Sequence, residues 1–260
     1  MLYEGRRLYG LLLRGYSKPG ILARTTDILA GHGLDITYLY ISPMRLDERG
    51  SILMFLDFTE ADIEPEDLAE ELETLEFIEK VEVIKPRFTG FIVDEALFPV
   101  MLGLHRAIIV SEPALRGFLV DFRRSLGSGG EAMLYHLGRA VGFERARYVN
   151  ELAKRIRVSK VEDKIAIGTL IFKSLGYGIL EVLEFREHPP YLRIRVHRCI
   201  ECELGDRANR PFGHYIRGII AGYASEIFKQ NLLAVETRCI AMGDPYCELE
   251  VKPREKSQGW

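Results

Sequence analysis

The sequence predicts an α+β fold of two domains, a ferredoxin-like βαββαβ domain followed by a mixed α/β domain. The chain has 260 residues, of which 47% are hydrophobic, and this is enough for two globular cores. Short apolar segments alternate with two amphipathic helices in the first third, whereas longer helices dominate afterwards. We therefore expect a first domain at 1–86, a linker at 87–98, a second domain at 99–253 and a C-terminal tail at 254–260.

The order of strands and helices defines the first domain. Pro19 lies near the first turn of a predicted helix, and Gly31 and Gly33 end this helix. The predicted strands cover 9–14, 35–42, 51–58 and 81–84, and a second helix covers 65–77. This order predicts a ferredoxin-like sheet with both helices on one face.

The second domain begins with helices and continues with strands. We predict helices at 113–126, 131–156, 161–175 and 212–230, and strands at 178–185 and 191–198. Gly138 and Gly142, four residues apart on the longest helix, would let another element approach its backbone closely. The glycine cluster at 127–130 lacks the ending of a phosphate-binding loop and is interpreted as a helix break.

A cysteine hairpin near the C-terminus carries the clearest chemical signal. Cys239 and Cys247 flank a Gly-Asp-Pro turn, and Glu236 stands three residues before the first cysteine. Alternating apolar residues on both sides predict two short strands, so two sulfurs and one carboxylate share one end of a hairpin. This donor set suits a structural metal such as zinc.

Cys199 and Cys202 supply the remaining two of the four cysteines. A four-cysteine zinc site also has acceptable composition, but residues three apart on a strand point to opposite faces, so the chain would have to turn there. If one cysteine is free, Glu236 or His214 would complete the site. Disulfides and buried reduced thiols stay open as alternatives. The scarcity of Asn and Gln resembles thermophile composition, and hyperthermophile cytosol is a setting in which disulfides occur.

Charge and motif content limit the function classes. The net charge of −3 creates no field that would favour nucleic acid as a partner. The N-terminus has no signal-peptide pattern, and no apolar run approaches the roughly 18 residues of a membrane span, so we expect a cytoplasmic protein that does not bind membranes. We find no catalytic triad, zinc-protease motif or dinucleotide fingerprint, and so expect no catalytic residues.

The first domain resembles the ACT family of amino-acid-binding regulatory modules. The resemblance lies in Lys18-Pro-Gly-Ile-Leu-Ala23, followed by Leu29-Ala-Gly-His-Gly-Leu-Asp-Ile36. It implies a homodimer with an effector at the first loop, where helix N–H groups attract a carboxylate. In the alternative interpretation, the glycines only shape turns and the module pairs subunits. The resemblance assigns the effector to Lys18, Pro19, Gly20, Ile21, Leu22, Asp35 and Ile36.

The second domain resembles the 4-vinyl reductase-type domain, a family widespread as small-molecule sensors. The segments 135–142, 218–225 and above all 235–247 carry this resemblance. It implies a zinc held by both hairpin cysteines, the glutamate before them and an upstream cysteine, where this chain has Gly213 and His214. It also implies a largely apolar ligand pocket. From aromatic placement we expect this pocket to draw on Phe98, Leu102, Tyr135, Phe143 and Tyr177.

Together these features predict a non-enzymatic sensor that binds an amino-acid-like effector in one domain and a hydrophobic or aromatic molecule in the other. A protein partner would carry its output, because we recognise no output domain. Two alternatives remain. The fold family of the second domain also serves in vesicle-tethering particles, which suggests a structural adaptor. A tetrapyrrole vinyl reductase is suggested by the domain's name alone, and it would need a hydride source.

Overall fold

A computed structural model describes residues 2–42, 49–102 and 105–254. The chain divides into two compact units, 1–109 and 110–260. Each unit holds a four-stranded sheet with helices, so the predicted α+β class is confirmed. The predicted C-terminal tail lies, from residue 255 onward, outside the described residues.

The first unit follows the predicted βαββαβ order. Its elements are β1 (Leu8–Tyr16), α1 (Ile21–Gly31), β2 (Asp35–Ile41), β3 (Arg49–Asp57), α2 (Pro65–Glu73) and β4 (Ile78–Ile84), followed by the two-residue strands β5 (Met101–Leu102) and β6 (His105–Arg106). The antiparallel main sheet has the order β2-β3-β1-β4.

Both faces of this sheet are covered. Leu29 of α1 and Leu68 and Leu72 of α2 pack on one face. Leu12 and Phe55 face the other side, where Ile92 from the segment 87–98 joins them with 3% exposure. This segment, expected as a linker, therefore contributes to the core of the first unit, because its apolar residues have an open sheet face to bury against.

The second unit begins with a helical stretch interrupted by one π-helical turn at Gly117–Asp121. The elements are α3 (Glu112–Arg116), α4 (Phe122–Leu126), α5 (Ser128–Arg155), α6 (Val161–Ser174), β7 (Ile179–Arg186), β8 (Tyr191–His197), α7 (Ile200–Leu204), α8 (His214–Ile227), β9 (Leu232–Arg238) and β10 (Cys247–Pro253). The antiparallel sheet has the order β7-β8-β10-β9. None of the helices in the described residues has the length and apolar content of a membrane span.

Helices α5 and α8 cross at backbone contact distance. A Cβ built on Gly138 would lie 2.1 Å from the carbonyl oxygen of Tyr215, and one on Gly222 would lie 2.0 Å from that of Arg139. Glycine is required on both helices because each backbone occupies the space that the other's side chain would need. This close approach holds α8 against the longest helix of the unit.

We expect Gly142→Ala to destabilise the protein, because the new Cβ would lie 2.1 Å from Ile219 O and 2.7 Å from Tyr223 N. Forcing extra volume into a packed interior costs about 1–3 kcal/mol. Gly129→Ala is the matched control, because it lies on the same helix with nothing within 4 Å of the added Cβ. It should be neutral or stabilising by up to about 1 kcal/mol. Urea unfolding of both variants tests this, and equal effects would contradict the crossing.

Candidate metal centre and apolar cavity

The strand β9 contains an irregularity that aims two predicted ligands in one direction. Its pairing with β10 shifts between Leu249↔Glu236 and Glu248↔Arg238, which leaves Thr237 as an extra residue. Glu236 and Cys239 are buried, while Thr237 and Arg238 between them are exposed. In a regular strand, residues three apart would face opposite sides; the bulge restores a common side.

The chain turns after β8, as a ligand role for the upstream cysteines requires. Arg198 takes a left-handed conformation with φ of 53°, and α7 begins directly after Cys199. Cys199 and Cys202 are both buried. Of these two cysteines, only Cys202 belongs to a group of four possible metal ligands. Cys199 lies outside that group and contacts Cys202 and Cys247.

Four buried side chains converge into one cluster. One donor atom each from Cys202, Glu236, Cys239 and Cys247 lies within 4.8 Å of all the others. Cys202 Sγ is 3.6 Å from Cys239 Sγ and 3.9 Å from Glu236 Oε1. Tetrahedral bonds of about 2.3 Å to zinc would separate two sulfurs by about 3.8 Å. All four cysteines are free, so the sulfurs are not disulfide-bonded.

Backbone amides surround the cluster in the way that anionic ligands require. The Phe212 amide donates to Cys239 Sγ and the Ile240 amide to Cys247 Sγ, both at 3.4 Å, and the Gly213 amide donates to Glu236 Oε2 at 3.0 Å. Such outer hydrogen bonds orient metal ligands and stabilise thiolates. A Cβ on Gly213 would lie 3.1 Å from Glu236 Oε1, so this glycine makes room for the carboxylate.

The pKa values of the acidic groups in and beside this cluster are shifted by burial and by neighbouring thiols. Burial raises the pKa of Glu236 to about 7. Hydrogen bonds from Cys202 and Cys247 lower the pKa of the Cys199 thiol to about 6. A bound cation would favour the ionised carboxylate and thiolates. Three sulfurs and one oxygen, buried and supported by amides, form a site that could hold a metal ion.

A buried ion pair connects this cluster to α4. Glu201, between the two upstream cysteines, accepts hydrogen bonds from the amides of Tyr215 and Ile216 at 3.1 and 2.9 Å in the first turn of α8. It also pairs with Arg123 Nη2 at 2.5 Å, and the guanidinium lies 3.6 Å from the ring centroid of Phe212. Burial raises the pKa of Glu201 to about 7, against the lowering effect of the Ile216 amide and Arg123.

His214 does not join the cluster. Its Nδ1 lies 3.0 Å from Phe212 O, and its Nε2 lies 3.7 Å from Glu131 Oε2. Burial lowers the pKa of this imidazole. Its role at the start of α8 is therefore to contact Phe212 and Glu131, and the position upstream of the hairpin is taken by Cys202.

A cavity of about 40 Å³ lies between α5, α6, α8 and the sheet. Its walls are mostly aliphatic, with Val149, Ile165, Phe172, Ile194 and Ile219 among them. It is smaller than the roughly 150 Å³ of an engineered cavity that takes up benzene. A ligand of aromatic size must therefore displace side chains or extend beyond the cavity.

A groove of about 400 Å³ adjoins this cavity between α6 and β7. Ile165, Thr169 and Leu180 line both spaces, so these three side chains separate the groove from the cavity. The outer groove is lined by exposed residues, including Glu162 and Val182. A path from the groove to the cavity would require these three side chains to move apart.

None of the five residues expected around the ligand lines this cavity. Phe98 and Leu102 belong to the first unit and are 77% and 58% exposed. Tyr135, Phe143 and Tyr177 are half-buried, and none of them lines the cavity. Tyr177 contacts a residue of the cavity wall, because its hydroxyl accepts a hydrogen bond from Arg145.

The residues expected around the effector form two segments of the first unit. Gly20 precedes α1 with φ of 87° and no side chain caps this helix. Pro19, Gly20 and Asp35 are exposed, and Asp35 opens β2. Lys18, Ile21, Leu22 and Ile36 are half-buried.

Two family models match the chain, the ACT domain at residues 9–77 and the 4-vinyl reductase domain at residues 192–253. The chain is similar to two uncharacterized proteins of Methanocaldococcus jannaschii. It is 31% identical to MJ0150 over 131 residues, which is 50% of this chain and 69% of that protein. It is 24% identical to MJ1642 over 133 residues, 51% of this chain and 71% of that protein.

Among solved structures, the chain is similar to the phenol-responsive sensory domain of the transcription activator PoxR, crystallised with phenol. The TM-score is 0.53 and the identity 18%, over 59% of this chain and 79% of that one. At this identity the likeness supports the fold alone. The ACT match includes the resembling segment 18–36, and the 4-vinyl reductase match includes 218–225 and 235–247 but not 135–142. The chain belongs to the 4-vinyl reductase domain family and carries an ACT domain ahead of its 4-vinyl reductase domain.

Proposed function

We propose that the protein is a non-enzymatic small-molecule sensor with two inputs. The 4-vinyl reductase domain binds a hydrophobic or aromatic molecule in the cavity beside α8, and the ACT domain binds an amino-acid-like effector. The observation that carries this proposal is the aliphatic cavity with its adjoining groove. The phenol-responsive domain of PoxR, which shares the fold, supports an aromatic ligand.

Zinc in the cysteine cluster completes the proposal. Three thiols and a carboxylate suit zinc better than a hard cation, and four protein ligands leave no position for a reactive water. Cys202, Glu236, Cys239 and Cys247 would hold the ion, with Cys199 behind them. The zinc would then stabilise the hairpin and the start of α8, and its role would be structural.

The effector part of the proposal concerns the first domain. Helix α1 begins after Gly20 with no side chain as a cap, so its first amides favour an anionic group such as an amino-acid carboxylate. We propose that the protein is cytoplasmic, that it forms a homodimer through the ACT domain and that a protein partner carries the output. Binding at either site signals only if it favours one arrangement of the domains over another.

The cavity proposal is tested by calorimetric titration of the full chain with phenol and with 3-phenylpropionate. We expect at least one of them to bind. Thr169→Phe should abolish this binding, because the larger ring closes the passage between groove and cavity. Leu170→Phe is the matched control, since Leu170 is 69% exposed on the same helix. No binding of either compound, or no effect of Thr169→Phe, would favour the adaptor interpretation.

A further inference from the structure

Three polar side chains line the otherwise apolar cavity, namely Arg145, Thr169 and Tyr223. Two of them already donate their protons to backbone carbonyls. The Thr169 hydroxyl donates to Ala166 O at 2.8 Å, and the Tyr223 hydroxyl donates to Lys164 O at 2.5 Å. Neither hydroxyl therefore offers a proton to a ligand.

Arg145 differs from both. Its Nη2 donates to the Tyr177 hydroxyl at 3.1 Å, and its guanidinium lies 5.1 Å from the centroid of that ring. Its Nε is buried and has no acceptor among the described residues, and no described carboxylate pairs with it. A half-buried cation thus faces an apolar space without a counter-charge, an arrangement that costs free energy unless an anion completes it.

Two other arginines of α5 have partners of a different kind. Arg139 donates to Leu232 O and to the side chain of Asn231. Arg147 pairs with Glu144 at 2.8 Å, three residues away on the same helix. Arg145 is turned inward instead, where the apolar walls weaken solvent screening and strengthen any interaction with an anion.

We propose that the ligand of the 4-vinyl reductase domain is an apolar monocarboxylate, whose carboxylate binds Arg145 while its aryl or alkyl body occupies the cavity and the groove. This inference rests on the proposed function and specifies its ligand class. A guanidinium matches a carboxylate in geometry as well as in charge. A phenol, with a pKa near 10, would be neutral at pH 7. A phosphate would bring more charge than one arginine neutralises.

The volumes agree with a molecule longer than the inner cavity. The cavity of about 40 Å³ accommodates the part of the ligand next to the carboxylate. The groove of about 400 Å³ accommodates the rest, once Ile165, Thr169 and Leu180 move apart. Glu162 and Glu184 stand at the outer groove, so a carboxylate is repelled there and favoured only at the inner end.

The test compares 3-phenylpropionate with 3-phenylpropionamide, which has the same shape without the charge. In calorimetric titrations of the full chain at pH 7, we expect the acid to bind at least about 10-fold more tightly than the amide. Arg145→Met should remove this preference, because the acid then loses more affinity than the amide does. Arg147→Met is the matched control, because Arg147 is exposed on the same helix, and it should keep the preference.

A second measurement needs no variant. The preference for the acid should disappear as the pH falls below the pKa of the ligand, about 4–5, because the protonated acid no longer carries a charge. Equal affinities of acid and amide in the natural protein would overturn the carboxylate assignment but leave the sensor proposal standing. Acid binding that survives Arg145→Met unchanged would also overturn it. Absence of binding by both compounds would overturn the ligand class, and the cavity proposal would fall with it only if phenol also failed to bind.

Discussion

Cys239→Ser is expected to abolish the proposed metal binding and to destabilise the second unit. Cys239 Sγ lies 3.6 Å from Cys202 Sγ and accepts the Phe212 amide, so its loss removes a central ligand. An ion at 1,000 times its dissociation constant contributes about 4 kcal/mol to folding, and we expect a loss of this size. Inductively coupled plasma mass spectrometry measures the zinc content. Urea unfolding with and without a chelator measures the loss of stability.

Cys199→Ser is the matched control for this prediction. Cys199 is buried beside the cluster but lies outside the group of four donors. If Cys202, Glu236, Cys239 and Cys247 are the ligands, Cys199→Ser keeps about one zinc per chain and Glu236→Ala loses it. A four-cysteine site predicts the reverse for these two variants. Full zinc content in Cys239→Ser would falsify a metal site at this cluster.

Arg123→Met is expected to destabilise the protein by about 3–5 kcal/mol, because it leaves the buried Glu201 carboxylate without its cation. Both side chains are at least nine-tenths buried, and their atoms are 2.5 Å apart. Arg124→Met is the matched control on the same helix. Arg124 is 63% exposed and pairs with Asp121 and Asp206, so we expect a loss below about 1 kcal/mol. Urea unfolding gives both values.

A double variant distinguishes the ion pair from simple packing. Arg123→Met combined with Glu201→Gln removes the uncompensated charge, so it should recover part of the stability lost in Arg123→Met. The recovery should be smaller at low pH, because burial and the loss of Arg123 both raise the pKa of Glu201, and protonation then neutralises it without a mutation. Equal losses for Arg123→Met and Arg124→Met would contradict a stabilising role of the buried pair.

Local patterns predicted most of the fold. The apolar periodicity and the proline and glycine positions predicted the βαββαβ order. Helices α5, α6 and α8 lie within a few residues of their predicted bounds, whereas the short helix α7 was not predicted. The close contact expected at Gly138 and Gly142 is present. These features are local, because each depends on residues that are near one another in the chain.

The site was less predictable, because it depends on irregularities and distant contacts. The extra residue Thr237 and the left-handed Arg198 break the strand period, and neither residue type signals a bulge or a turn. Arg123 and Glu201 meet across 78 positions. Glu201 could have been noticed as an acid between two buried cysteines, whereas Arg123 lies in an otherwise ordinary amphipathic helix. The resemblance implied an apolar pocket, but its lining residues escaped prediction because aliphatic wall residues have the same pattern as a filled core.

The glycine crossing holds α8 against α5 near the middle of the helix. The helix has 14 residues and is therefore about 20 Å long. Its first turn lies over Glu201 and the cysteine cluster, and Tyr223 and Ala224 in its second half form part of the cavity wall. Gly218 and Gly222 contact α5, and Ile219 and Ile220 between them also line the cavity. A ligand that changes the packing of the cavity wall would therefore act on the same helix whose first turn binds Glu201 beside the four-donor cluster.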